Sequence, residues 1–350
     1  MAKVKVFRQE LKFAHPAITS RGIYRSRNVW FLVYYPQDDS AVHHIGEIAP
    51  LYDLSPEYHP GFEEEIISCA QSMEEISPAT LLQDCRASSI RFALDCISRQ
   101  NQSLPHAPFD EVPIPVNGLI WMGTKEQMTA RMKEKLQAGF RCIKLKIGGI
   151  DFEEELSILQ ELRNLAGTDI TIRLDANGAW QDYDTAMKRL EALAPFGIHS
   201  IEQPVLAGLT ETSAKVCRQS PVPIALDEEL IGIWSKQERE VLLATIRPQY
   251  LVLKPTLHGG LSGAEEWIRL AKQYAAGYWV TSALESNVGL RALAEWILPT
   301  RPLLAQGLGT GDLYLNNMPR NHRLHKGYFY LVSHSPYSVS DLKGSLPVYG

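Results

Sequence analysis

Cysteine is scarce in this chain, five among 350 residues, and no two stand in a Cys-x-x-Cys pair. The odd count (Cys69, Cys85, Cys96, Cys142, Cys217) and these spacings argue against a zinc ribbon or a redox dithiol. A chain of this length has no need of a disulfide framework either. Long apolar runs are also missing, and none approaches the roughly 20 residues that a membrane helix requires. Basic charge is not in excess: a net charge of −5 and a pI near 6.1 offer no footprint for nucleic acid or a membrane surface. The start, Met1-Ala2-Lys3-Val4-Lys5-Val6, alternates like a strand and lacks a signal-peptide core. A cytoplasmic protein with reduced thiols is therefore expected.

What remains is ordinary for a soluble globular protein, 45% hydrophobic and 21% charged. Residues 3–13 and 29–49 read as strands, flanking the turn-rich Thr19-Ser20-Arg21-Gly22. Helical periodicity follows at 61–73 and at 87–99, where Ile90, Ala93, Leu94 and Ile97 share a face. Four prolines between Pro105 and Pro115 mark a linker. Beyond it strands and helices alternate. Strands are expected at 118–122, 142–147, 171–175, 200–202, 224–227, 250–254, 278–281 and 304–306, with helices between them, the first opened by a capping box at Thr124–Gln127. Eight such strands favour a closed α/β barrel over an open doubly wound sheet. The expected division is an α+β capping domain over 1–112, a catalytic barrel over 113–310, and a tail over 311–350 that returns to the cap.

Charges recur once per unit of this barrel. Lys144 and Lys146 close the second strand, Asp175 the third, Glu202 the fourth, Asp227 the fifth and Lys254 the sixth. From Lys146 the steps are 29, 27, 25 and 27 residues, close to the roughly 30 residues of one βα unit in a (β/α)8 barrel. All six then lie at the carboxyl ends of consecutive strands, where barrel active sites are built. Strand parity turns Lys144, Lys146, Arg173, Asp175 and Lys254 inward. Buried charges must be paired or bound to metal, and three hard carboxylates without His or Cys suit Mg²⁺, with Mn²⁺ as a substitute. A buried ion-pair lattice that merely holds the barrel shut is the competing reading, and six charges at one rim weigh against it.

Other polar residues are weaker candidates. Glu228 and Glu229 follow Asp227, and one of them is expected to support the site. Asn177 reads as a ligand-orienting group or as part of an Asx-turn in Asp175-Ala176-Asn177-Gly178. His258 is better taken as structural or exposed, and the glycines at 307, 309 and 311 as a turn or lid rather than a phosphate loop. With Lys146 and Lys254 on opposite sides of a cation, the site suits removal of a proton α to a small-molecule carboxylate, through an enediolate.

At these residues the chain resembles the enolase superfamily, in the subgroup with a lysine on each side of the metal. That likeness implies a modified, (β/α)7β barrel under an N-terminal α+β cap, with Asp175, Glu202 and Asp227 on Mg²⁺ and Lys146 and Lys254 catalytic. Thr19-Ser20-Arg21-Gly22, Thr281-Ser282-Ala283-Leu284-Glu285-Ser286 and Gln306-Gly307-Leu308-Gly309-Thr310-Gly311 are similar to the o-succinylbenzoate synthase family of menaquinone biosynthesis. By that resemblance Lys146 abstracts the proton and then protonates the departing hydroxyl, while Lys254 acts as a fixed charge. Lys144, Asn177, Glu228, Ser282, Glu285, Ser286 and Arg21 become substrate-binding or supporting residues. N-succinylamino-acid racemase and dipeptide epimerase are the rivals on the same scaffold. The epimerases' Asp-x-Asp after the eighth strand is reduced here to a single Asp312. A non-catalytic metal-binding barrel is the remaining alternative. The sequence leaves the oligomeric state open.

Overall fold

A computed structural model describes residues 2–19, 22–37, 42–100, 112–332 and 337–350. Alternating apolar residues at the start form a long antiparallel hairpin of β1 (Lys3–Thr19) and β2 (Gly22–Tyr35), and β3 (His44–Ile48) pairs with β2. The expected strand over 29–49 is thus the end of β2 plus β3. Pro36, with no N–H to give, cannot continue the ladder. Helices α1 (Phe62–Met73), α2 (Pro78–Leu81) and α3 (Ser88–Gln100) follow. Val4, Val6, Trp30, Leu32 and Ile48 of the sheet pack on Phe62, Ile66, Ile90, Ala93, Leu94 and Ile97. The last four are the i, i+3, i+4, i+7 stripe of α3.

Gly46 of β3 touches the α3 backbone so closely that a Cβ there would lie 2.5 Å from the Ala93 carbonyl oxygen. Backbone cannot rotate aside as a side chain can. Gly46→Ala should therefore destabilise the fold by about 1–3 kcal/mol, the usual cost of overpacking. A urea-unfolding midpoint equal to wild type would contradict this.

After β4 (Ile114–Pro115) the βα alternation begins. It runs β5 (Gly118–Ile120), α4 (Lys125–Gln137), β6 (Cys142–Lys146), α5 (Phe152–Ala166), β7 (Thr171–Asp175), α6 (Tyr183–Leu193) and β8 (Ser200–Glu202). It continues through α7 (Thr210–Gln219), β9 (Ile224–Leu226), α8 (Lys236–Ile246), β10 (Tyr250–Leu253), α9 (Gly260–Gln273), β11 (Gly277–Val280) and α10 (Asn287–Ile297). The expected capping box is present: Gln127 N–H donates to Thr124 Oγ1, and Thr124 N–H to Gln127 Oε1.

The seven strands β5 to β11 are parallel neighbours in chain order. The eighth position is filled by two residues, slightly later than the expected 304–306. Gln306 N–H donates to Pro115 O at 2.7 Å, and its carbonyl accepts from Asn117 N–H at 3.0 Å. Gly307 N–H donates to Val280 O at 2.8 Å, and its carbonyl accepts from Ser282 N–H at 3.0 Å. The ladder meets Gly307 because any Cβ there would lie 2.0 Å from Thr281 Oγ1. The result is a modified (β/α)7β barrel with an N-terminal antiparallel cap.

Beyond it, β12 (His322–His325) and β13 (Tyr328–Leu331) form a hairpin that pairs with β4. β14 (Leu346–Tyr349) adds to the cap sheet beside β1. Cap and barrel are tied by buried polar contacts. Glu47 of β3 accepts from Ser286 N–H at 2.7 Å, Ser286 Oγ at 2.6 Å and Gly289 N–H at 2.7 Å, at the amino end of α10. Asp95 of α3 accepts from Ser262 N–H at 3.0 Å in α9. Among the described residues no helix is long and apolar enough to cross a membrane.

Candidate active site

Register on the barrel strands places the charges side by side. Lys146 is opposite Asp175, and Asp175 opposite Glu202, across β6, β7 and β8. Ile143, Leu145 and Ile147 face the helices in the main core, which leaves Lys144 and Lys146 for the barrel interior. Five of the six are buried: Lys144 and Lys146 are 7% exposed, Asp175 and Glu202 1%, and Asp227 0%; Lys254 is partly buried, its side chain 12% exposed.

The lysines thread between the acids. Lys144 Nζ lies 2.8 Å from Asp175 Oδ2 and 2.6 Å from Glu202 Oε2. Lys146 Nζ donates to Asp175 Oδ2 at 2.9 Å and to Asn177 Oδ1 at 2.6 Å, and stands 5.8 Å from the Trp121 ring centroid. Lys254 pairs with Asp227 Oδ2 and lies 3.9 Å from Glu202 Oε1. Three lysines thus interleave with three acids at one rim.

Burial and neighbouring charge pull these groups apart. Burial pushes Glu202 up to about 8, and the charge of Asp175 adds to it. Burial likewise raises Asp227. It would raise Asp175 too, but Lys144 and Lys146 hold that carboxyl well below the usual range. For Lys254, burial alone would lower the pKa, yet Asp227 and Glu202 carry it well above the ordinary ammonium value. Paired in this way with Asp227, Lys254 is an ammonium.

Among the described residues no three His, Cys, Asp or Glu side chains already converge as a metal cage. The donor set nevertheless suits a hard divalent cation. Glu202 Oε1 and Asp227 Oδ1 are buried with no hydrogen-bond partner, and buried carboxylate oxygens are stable only when something positive satisfies them.

The remaining sequence candidates divide by position. Ser282 and Asn177 line the central cavity together with Lys144, Lys146, Asp175 and Lys254. Asn177 (φ +45°) bridges Lys146 to Glu228, donating to Glu228 Oε1 at 3.0 Å. The Asx-type contact is made by Asp175, whose Oδ1 accepts from Asn177 N–H at 3.2 Å. Glu285 is fully buried behind the cavity, accepting from Thr256 Oγ1 at 2.5 Å and Ser282 Oγ at 2.6 Å. Ser286 caps α10 and holds Glu47. Glu229 binds Gly208 N–H and Thr210 Oγ1, each at 3.0 Å. Arg21 lies outside the described residues.

Several contributors carry no sequence period. Gln203 (φ +39°) accepts at Oε1 from Asp227 N–H at 3.1 Å and Glu229 N–H at 3.2 Å, fixing the fifth-strand acid. Its place directly after Glu202 at a strand end was the available signal. His258 Nδ1 accepts from Lys254 N–H at 3.0 Å. Burial, then the charge of Lys254, keeps its ring neutral. Arg27 of the cap donates to Ala283 O at 2.6 Å, Leu284 O at 2.8 Å and Pro50 O at 3.0 Å, and also to Ala49 O. It joins the two loops that bring Leu51 and Leu284 to the cavity wall. Tyr24 and Leu54 extend that wall, so the cap roofs the barrel mouth. The space in and above this cavity is about 780 Å³, its open mouth included.

Residues 127–331 match the family described as Enolase C-terminal domain-like. An o-succinylbenzoate synthase of Desulfotalea psychrophila is 39% identical over 90% of this chain and 95% of that protein. The crystal structure of MenC from Desulfotalea psychrophila superposes with a TM-score of 0.80 at 34% identity, covering 94% of this chain and 99% of that one. A dipeptide epimerase from Cytophaga hutchinsonii, complexed with Mg and D-Ala-L-Val, has the same fold, with a TM-score of 0.82, 21% identity and 99% coverage of both chains.

Proposed function

The chain belongs to the enolase superfamily, and from that premise we propose that it is an o-succinylbenzoate synthase. The reaction is the syn-dehydration of 2-succinyl-6-hydroxy-2,4-cyclohexadiene-1-carboxylate. Asp175, Glu202 and Asp227 are the residues that would hold Mg²⁺ or Mn²⁺, which supplies positive charge for the two oxygens of an enediolate. Lys146 is the base that takes the proton α to the carboxylate. The resulting ammonium then returns that proton to the leaving hydroxyl on the same face, water departs, and the ring becomes aromatic. Lys254 remains an ammonium beside the developing negative charge. Asn177 orients Lys146, and Lys144 balances Asp175 and Glu202. The apolar walls from Leu51, Leu54 and Leu284 leave room for a carbocycle.

The observation that carries this reading is the 39% identity, over nearly the whole of both chains, to a protein of that activity. Asp312, 62% exposed at its side chain and paired with Arg320, is ill placed to grip an ammonium as the epimerases do.

An absorbance assay with the cyclohexadiene substrate tests the proposal, run beside deuterium exchange from D₂O into N-succinylamino acids and dipeptides. Aromatic product should form in the presence of Mg²⁺, with far slower exchange at any amino-acid α-carbon. Rapid exchange without aromatic product would transfer the assignment to racemase or epimerase. The site is expected to act on this small carboxylate in the cytoplasm.

A further inference from the structure

The amino-terminal end of the barrel holds a second cavity, on the face opposite the six charges. It is lined by Cys142, Thr171 and His199, at or just before the starts of β6, β7 and β8, and by Arg141, Arg173 and Lys326. It spans about 650 Å³, its open mouth included. Three permanent cations line it, and no Asp or Glu is among the described lining residues.

Arg173 is the anomaly. It points into the barrel from β7 and is 1% exposed, yet no carboxylate lies within ion-pair distance of it among the described residues. One guanidinium nitrogen donates to Ala305 O at 2.7 Å, and its Nε has no hydrogen-bond partner. The guanidinium stacks 3.8 Å from the Trp279 ring centroid. Cation–π stacking offsets part of the cost of burial, but it leaves unused the donor fork that matches a carboxylate or phosphate. The acids that could have neutralised Arg173 are engaged two residues further along the strands, by Lys144, Lys146 and Lys254.

The rim cations are placed rather than scattered. Lys326 and Gly327 form the two-residue turn between β12 and β13, and both have positive φ, +51° and +77°. Such a turn favours Asn-Gly or Gly-Gly, and here its first position is a lysine. Its Cα packs where a Cβ on Gly139 would come within 3.1 Å, which fixes Lys326 beside the mouth. Arg141 stands just before β6 on the same rim, its carbonyl accepting from Thr171 N–H at 2.9 Å. His199, its ring tilted against Tyr250 with centroids 4.8 Å apart, completes the wall. Burial, then the charge of Arg173, pushes its pKa down to about 4.

We propose that this cavity is a binding site for a small oxyanion, a phosphate or a carboxylate, held by Arg173 at its base and by Arg141 and Lys326 at its mouth. The site is independent of the reaction proposed above and lies at the other end of the same strands.

Isothermal titration with inorganic phosphate and, separately, with succinate, at constant ionic strength and without added divalent cation, tests it. The full-length chain is compared with the Arg141→Ala/Lys326→Ala double variant and with Lys254→Ala. Arg141 and Lys326 are exposed, so the double variant should fold. Saturable binding of at least one anion is expected, weakened about tenfold or more in the double variant and unchanged in Lys254→Ala. The stronger of the two anions identifies the ligand class. Absence of saturable binding by either anion overturns the proposal. So does binding that survives in the double variant, or binding that is lost only in Lys254→Ala, since the anion would then occupy the carboxyl-end site.

Discussion

Lys146→Ala should reduce turnover by about 10²–10⁴-fold, the range associated with one general acid–base group, and toward the upper end because the same amine carries both proton transfers. The chain should remain folded. Lys146 contacts Asp175 and Asn177 at the rim, and Lys144 stays bonded to Asp175 at 2.8 Å, so no carboxylate loses its last cation. Lys254→Ala should cost less, about 10²–10³-fold, because it removes a fixed charge rather than a proton carrier. Circular dichroism and steady-state kinetics on purified variants are the measurements. Wild-type turnover in either variant would remove that lysine from the mechanism. An equal loss in both, together with α-carbon exchange in the wild type, would mean two alternating acid–base groups, as racemisation requires.

Excess EDTA should bring turnover to background, and Mg²⁺ or Mn²⁺ should restore it. Glu202→Gln should lower turnover by about 10²-fold or more even with cation present, on the scale of losing one preorganised charge-stabilising contact. The reason is the pair of buried oxygens, Glu202 Oε1 and Asp227 Oδ1, that lack hydrogen-bond partners. Full activity in EDTA, or in Glu202→Gln, would leave the buried ion-pair lattice as the whole role of these acids.

Glu202 also gives a pH signature in the cation-free protein. Its carboxyl is raised from 4.5 to about 8, chiefly by burial. A carboxyl that binds its proton more tightly in the folded chain contributes stability in full below 4.5, and loses that contribution as the pH rises through about 8. Glu202→Gln, which stays neutral, should flatten this part of the pH dependence of the urea midpoint. An unchanged slope would mean that Glu202 is already ionised in the folded chain at low pH.

Periodicity determined a great deal by itself. A βα unit has a nearly constant length, so one charge per strand end, from Lys146 through Asp175, Glu202 and Asp227 to Lys254, is a one-dimensional pattern that survives without coordinates. Strand parity likewise separates Ile143, Leu145 and Ile147 from Lys144 and Lys146, because side chains alternate along any strand. The helices over 152–166, 183–193 and 210–219 are legible for the same reason: an amphipathic repeat and its end signals are local.

What the tertiary structure alone decided is set by contacts between residues far apart in sequence. Arg27 reaches Leu284 across 257 positions, and Glu47 reaches Gly289 across 242. No local propensity encodes either contact. The barrel's closure moved to Gln306 and Gly307 because only glycine tolerates the approach of Thr281, a steric fact about another strand. Gln203 and His258 hold Asp227 and Lys254 through backbone amides, so their roles depend on where the strand ends fall in space. The sequence determined which charges share a rim; the fold decided that lysines thread between the acids, that the cap roofs them, and that Arg173 is left two residues deeper without an acid of its own.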